Sequence, residues 1–135
     1  MMKFSLAIIG LIFLCSACSF QPEPINYGVD NCHFCQMTIV DQAFAAQLVT
    51  DKGKQYKYDA IECMVHDIFQ KDYQTSFILV ANYDKPGNML PVTEAGFVQH
   101  DSLRSPMGAN LAAVKKQSRK GGNLQAWEEL KNQLN

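Results

Sequence analysis

The chain of 135 residues carries no surplus of either charge, with twelve basic residues against thirteen acidic ones and a formal net charge of −1. Without a basic surplus there is no broad positive surface for phosphate backbones, and nucleic-acid binding is excluded. Enzyme signatures are missing as well: there is no Gly-rich phosphate loop, no HExxH, no set of paired catalytic carboxylates and no Ser-His-Asp arrangement. A binding protein fits better than an enzyme. No apolar run approaches the roughly 20 residues a bilayer-spanning helix needs. Internal repeats and low-complexity tracts are also absent, and 47% hydrophobic against 19% charged residues rules out a disordered chain. The length suits one domain with a modest core.

What is there begins with a leader. Lys3 precedes an apolar run from Phe4 to Leu14 and then small residues, the pattern of a signal peptide. The end of that run, LCSAC, resembles a bacterial lipobox, although Leu14 stands four residues before Cys18 rather than three. On this reading residues 1–17 are a lipoprotein signal peptide and Cys18 is the lipidated first residue of the mature chain. Residues 18–30 form a lipid-anchored tether whose prolines discourage helix, and residues 31–135 form the folded domain. Buried acyl chains, worth roughly 0.8 kcal/mol per methylene, hold such a domain at a membrane without a spanning helix. The expected location is the bacterial cell envelope, facing the periplasm. Ser19 does not resemble the inner-membrane retention signal, which favours the outer membrane.

With Cys15 removed and Cys18 acylated, Cys32, Cys35 and Cys63 remain. An odd number in a compartment that favours disulfides leaves at least one thiol free, or all three available to a metal.

The segment FAAQLVTDKGKQYKYDA reads as two strands around the turn DKGK, with Gly53 supplying a positive φ. Asp59 followed by Glu62 reads as an acidic capping box, and Ile61, Met64, Val65, Ile68 and Phe69 recur at helical spacing, predicting a helix over Ala60–Gln70. Ser76–Asn82 predicts a buried strand closed by the turn DKPG. Met89–Asp101 is expected to be extended in parts, SPMG to be a loop, Ala109–Ser118 a short helix, Asn123–Ala126 a short strand and WEELKNQL a terminal helix. The class is α+β.

The chemistry centres on NCHFCQM, residues 31–37. A CxxC can serve as a redox dithiol, but no long amphipathic helix follows it and no βαβ pattern precedes it. A structural disulfide between Cys32 and Cys35 would leave Cys63 unexplained. Structural zinc wants four ligands, usually as two spaced pairs, and His33, His66 and His100 do not make a second pair. Copper(I) suits thiolate and thioether sulfur at low coordination number. Cys35 and Met37, two apart, would share a face of an extended segment. Met107, outside any apolar periodicity, is the best distant donor, and His33 is the histidine placed to assist. Met64 and Met89 read as core or surface.

The order of a lipobox, CHFCQMTI, a hairpin, YDAIECM, FILVANY and SPMGANLAA resembles the NosL family of copper-binding lipoproteins, over nearly the whole mature chain. The resemblance implies a copper(I) chaperone that helps assemble the copper centres of nitrous oxide reductase, and the chain is expected to act as a monomer. It implies an α+β fold of two small ββαβ units, the second one shortened here because only VKKQSRK separates the GANLAA segment from Gly121-Gly122. It places the family's Cys-x-Met pair on Cys35 and Met37, its helix Cys-Met on Cys63 and Met64 and its downstream methionine on Met107. Cys32 and His33 complete the candidate ligands. The alternative reading is a lipid-anchored thiol-disulfide protein using Cys32 and Cys35.

Overall fold

The computed structural model describes residues 20–119 and 122–135. The leader, Cys15 and the proposed lipidation site Cys18 lie outside the described residues.

Two strands, β1 (Ala46–Thr50) and β2 (Gln55–Tyr58), form the expected hairpin. Its turn contains Gly53 at φ 80°, a value that glycine reaches without a Cβ penalty. Helix α1 (Ile61–Gln70) follows, then β3 (Thr75–Ala81), which returns antiparallel against β1, and β4 (Met89–Pro91) against β3. The sheet order is β2-β1-β3-β4. The first half is therefore ββαβ with one added edge strand. A second, two-stranded sheet pairs β5 (Ala95–Gln99) with β6 (Leu111–Lys115), and the chain closes with a 3-10 turn (Lys116–Ser118) and helix α2 (Trp127–Leu134). The class is α+β, as expected.

Three local expectations need correction. The predicted helix over Ala109–Ser118 is instead β6, whose Leu111, Ala112, Ala113 and Val114 are all buried. The helix preference of alanine is worth at most about 0.7 kcal/mol per residue over poorer formers. A full antiparallel ladder with β5 and burial of both faces outweigh it. The predicted strand over Asn123–Ala126 reduces to a single bridge between Phe97 and Gln125. The second unit is thus a shortened one, a hairpin, a bridge and a helix. Asp59 is not the helix cap either, since Ala60 occupies that position in extended conformation with no side-chain cap.

The core lies between the inner face of the larger sheet and α1. Leu48, Tyr58 and Val80 meet Ile61, Met64 and Val65, and Phe97, Leu111 and Leu130 extend the same cluster into the second unit. Met64 belongs to this core. The parallel bridge Asn82↔Ala113 ties the two sheets together.

The chain from Phe20 to Asp30, read from sequence as part of a tether, is docked on the first hairpin. Gln47 Nε2 donates to Glu23 O (2.8 Å), Gln55 Nε2 to Gln21 O (3.1 Å) and Lys57 Nζ to Pro24 O (2.9 Å). Ile25 and Tyr27 pack on the core. The reason is backbone satisfaction: a proline-bearing segment outside a ladder leaves carbonyls open, and side-chain donors of the hairpin fill them. The packed chain begins ahead of Asn31.

Candidate metal centre

The loop carrying Cys32 and Cys35 is a small knuckle. Its ends meet as an antiparallel bridge between Asn31 and Thr38, with Thr38 Oγ1 donating to Asn31 Oδ1 (3.1 Å). Within it Cys32 N–H donates to Met37 O (2.7 Å) and Gln36 N–H to Cys32 O (3.0 Å). The return is made possible by Gln36 at φ 66°, a left-handed conformation uncommon for a residue other than glycine. The side-chain amide of Gln36 braces the turn by donating to His33 O (2.8 Å).

Cys63, in the first turn of α1, comes from the other side. The ligand atoms of Cys32, Cys35 and Cys63 all lie within 4.8 Å of one another, and all three thiols are free. Cys32 and Cys63 are buried, while Cys35 is half-buried. The knuckle is fastened to the helix by the Phe34 ring stacked on His66, centroids 5.9 Å apart.

Backbone N–H groups feed this cluster. The Cys63 thiol, and after it the backbone of Asp59, Cys35 and Phe34, favour the ionised form of the Cys32 sulfur. These hold its pKa down to about 5 against the opposing effect of burial. Burial raises the Cys35 pKa, against the backbone of Met37, and Cys32 with burial raises that of Cys63. One proton therefore leaves the trio readily and the next two do not. A thiolate with two neutral thiols around it is a partly charged soft donor set. Beside it the buried Asp59 carboxyl is pushed up to about 6 by burial and by the Cys32 charge.

Of the candidates named from sequence, the structure brings together Cys32, Cys35 and Cys63. Met37 and Met107 have exposed side chains, at 52% and 44% of their full surface. The extended-segment reasoning that paired Cys35 with Met37 does not hold, because Gln36 turns the chain between them. His33 lies outside the thiol group. Its ring packs at 4.5 Å from that of Tyr56, and its Nε2 sits 3.2 Å from Lys71 Nζ and 3.8 Å from Asp67 Oδ2. Asp67 is buried and accepts from Tyr58 Oη (2.7 Å) and Tyr73 Oη (2.8 Å). An open cavity of about 340 Å³, lined by Asp30, Cys32, His33, Gln36, Tyr56 and Lys57, lies along this flank.

Two neighbours of the centre escaped sequence reasoning. Asp59 and Glu62 looked like helix caps, yet both are buried. Glu62 Oε1 accepts from Ser105 Oγ (3.1 Å) and Ala109 N–H (3.2 Å), joining α1 to the loop that carries Met107. These partners are 43 and 47 residues away. No local pattern encodes such a pairing.

The NosL family model matches residues 26–134. No curated protein sequence matches the chain. Among solved structures, the crystal structure of the copper chaperone NosL from Shewanella denitrificans is similar in fold, with a TM-score of 0.66 at 20% identity over 82% of this chain and 96% of that one.

Proposed function

From the premise that this chain belongs to the NosL family, we propose that it is a copper(I) chaperone that carries the ion rather than converting a substrate. The observation that carries the proposal is the convergence of three sulfur atoms within 4.8 Å. Copper(I) prefers such soft donors. With Cys32 already ionised, capture of the ion needs displacement of the more tightly held protons of Cys35 and Cys63, so binding releases protons. Cys35 is the half-buried member and so the route of entry and exit. Met37 and Met107, exposed thioethers near the knuckle and on the loop tied to Glu62, serve as weak, exchangeable donors that a recipient's ligands can displace. The recipient in this reading is nitrous oxide reductase. A lipid on Cys18 holds the monomeric domain at the periplasmic side of the cell envelope, with the outer membrane preferred.

One observation favours the redox alternative: the unequal thiols of Cys32 and Cys35. A dithiol exchange catalyst, however, needs its thiolate open to attack. Cys32 has no exposed surface, so the low-pKa sulfur faces partners inside the protein. Copper carriage fits that placement better.

The test is a competition titration of the reduced protein without its leader against a chromophoric copper(I) chelator. One ion per chain is expected, with transfer to apo nitrous oxide reductase. Failure to bind copper(I), together with efficient reduction of a disulfide substrate, would establish the redox reading instead. Acyl labelling of the full chain, abolished by Cys18→Ala, checks the anchor.

A further inference from the structure

The loop from Ser105 to Asn110 is built around one buried carboxylate. Glu62 stands next to Cys63 on α1, and its Oε1 accepts from Ser105 Oγ (3.1 Å) and Ala109 N–H (3.2 Å). Ser105 Oγ in turn accepts from Asn110 N–H (2.8 Å), and Gly108 N–H closes on Ser105 O (3.0 Å). Gly108 and Asn110 both have positive φ, at 81° and 51°, so the chain bends sharply on either side of Ala109, whose N–H meets the carboxylate. Met107 lies within this loop and is exposed.

The other carboxylate oxygen, Oε2, is buried and has no partner among the described residues. Glu62 therefore depends on the loop for its hydrogen bonds, as the loop depends on Glu62 for its tie to α1. Pulling the loop away would leave a buried carboxylate without a donor, which is the costly outcome for such a group. A half-exposed loop carrying a thioether is thus held against the helix that carries Cys63.

We propose that Glu62 is a positioning residue for copper(I) binding: it touches no metal, but it ties the Met107 loop to the helix that carries Cys63, so that the thioether is in place when copper arrives. This rests on the reading of Met107 as a copper donor. The bound loop also gives that donor a pre-organised position, since ordering a flexible loop at the moment of binding would subtract from affinity. Removing a hydrogen bond that orients a ligand lowers metal affinity by about 10–100-fold.

The experiment is a copper(I) competition titration of the reduced chain and its Glu62→Ala, Met107→Leu and doubly substituted variants, with the Met107 methyl followed by carbon-13 methionine labelling. Glu62→Ala is expected to weaken binding by about tenfold, to shrink the copper-induced shift of the Met107 methyl, and to have no further effect in the Met107→Leu background. Glu62→Gln, whose carbonyl oxygen accepts the same two hydrogen bonds, should recover most of the loss. If Glu62→Ala fails to fold, Ser105→Ala, which removes one donor to the carboxylate, takes its place with the same expectations. A full loss from Met107→Leu with none from Glu62→Ala or Ser105→Ala would overturn the positioning role while leaving the Met107 reading intact. Unchanged affinity in Met107→Leu would overturn both. A Glu62→Gln loss equal to that of Glu62→Ala would assign the effect to charge and overturn the positioning role.

Discussion

The sulfur of Cys63, on the first turn of α1, lies within 4.8 Å of the sulfur of Cys32, which sits in a knuckle 31 residues earlier in the chain. The Cys63 thiol is the largest influence lowering the Cys32 pKa. This makes the helix cysteine part of the centre. The CxxC is then two thirds of a three-sulfur site.

Loss of either buried sulfur should therefore be felt equally. Cys63→Ala and Cys32→Ala are each expected to reduce copper(I) affinity by about 100-fold or more, equivalent to about 2.8 kcal/mol. Chelator competition at fixed pH measures it. Retention of parent affinity in Cys63→Ala would exclude the helix thiol as a ligand.

The metal-free protein should show one acidic thiol. A thiolate absorbance titration is expected to give a first step near pH 5, with the others above the ordinary value of 9.0. Because the folded pKa of Cys32 is depressed, its contribution to stability is complete above pH 9.0 and declines as pH falls towards about 5. Asp59, held up to about 6, acts in the opposite sense below that point. Between about pH 6 and pH 9 the melting temperature of the metal-free protein should rise with pH, and Cys32→Ala should flatten the rise. A slope unchanged by that substitution would count against an ionised Cys32.

Met37 is exposed, so Met37→Leu should change stability by no more than about 0.5 kcal/mol. If its thioether is a copper donor, affinity falls by about tenfold, or 1.4 kcal/mol. Thermal melts and chelator competition on the same sample separate the two effects.

Asp67 tests the support beneath His33. Tyr58→Phe removes one donor to the buried carboxylate and should cost about 1–3 kcal/mol, read by urea denaturation. Copper(I) affinity should stay near the parent value, because this network lies outside the thiol group.

Gly96 in β5 tests the second unit. A Cβ there would stand 2.6 Å from Leu124 Cδ1. Gly96→Ala should therefore cost about 1–3 kcal/mol through overpacking, again by urea denaturation.

The first half of the fold was legible because its signals are local. Alternation marks Gln55–Tyr58, a glycine turn joins the hairpin, and helical spacing marks Ile61–Gln70. The second half misled because Leu111–Lys115 is rich in alanine, and only pairing with Ala95–Gln99 makes it a strand. The docking of residues 20–30 was hidden for a similar reason, since Gln47, Gln55 and Lys57 hold that segment through side chains on a hairpin distant in sequence.

By itself the sequence determined the ingredients: a soft-metal inventory of cysteine and methionine, a CxxC knuckle, a helix carrying the third thiol, and an α+β order of elements. Those follow from residue identity and from spacing over a few positions. Only the tertiary structure decided that Cys63 closes on Cys32 and Cys35, that His33 turns towards Asp67 and Lys71, and that Glu62 grips the Met107 loop. Each is a contact between segments 28 or more residues apart in sequence, selected by the burial of sulfur and carboxylate against neighbours that no local pattern names.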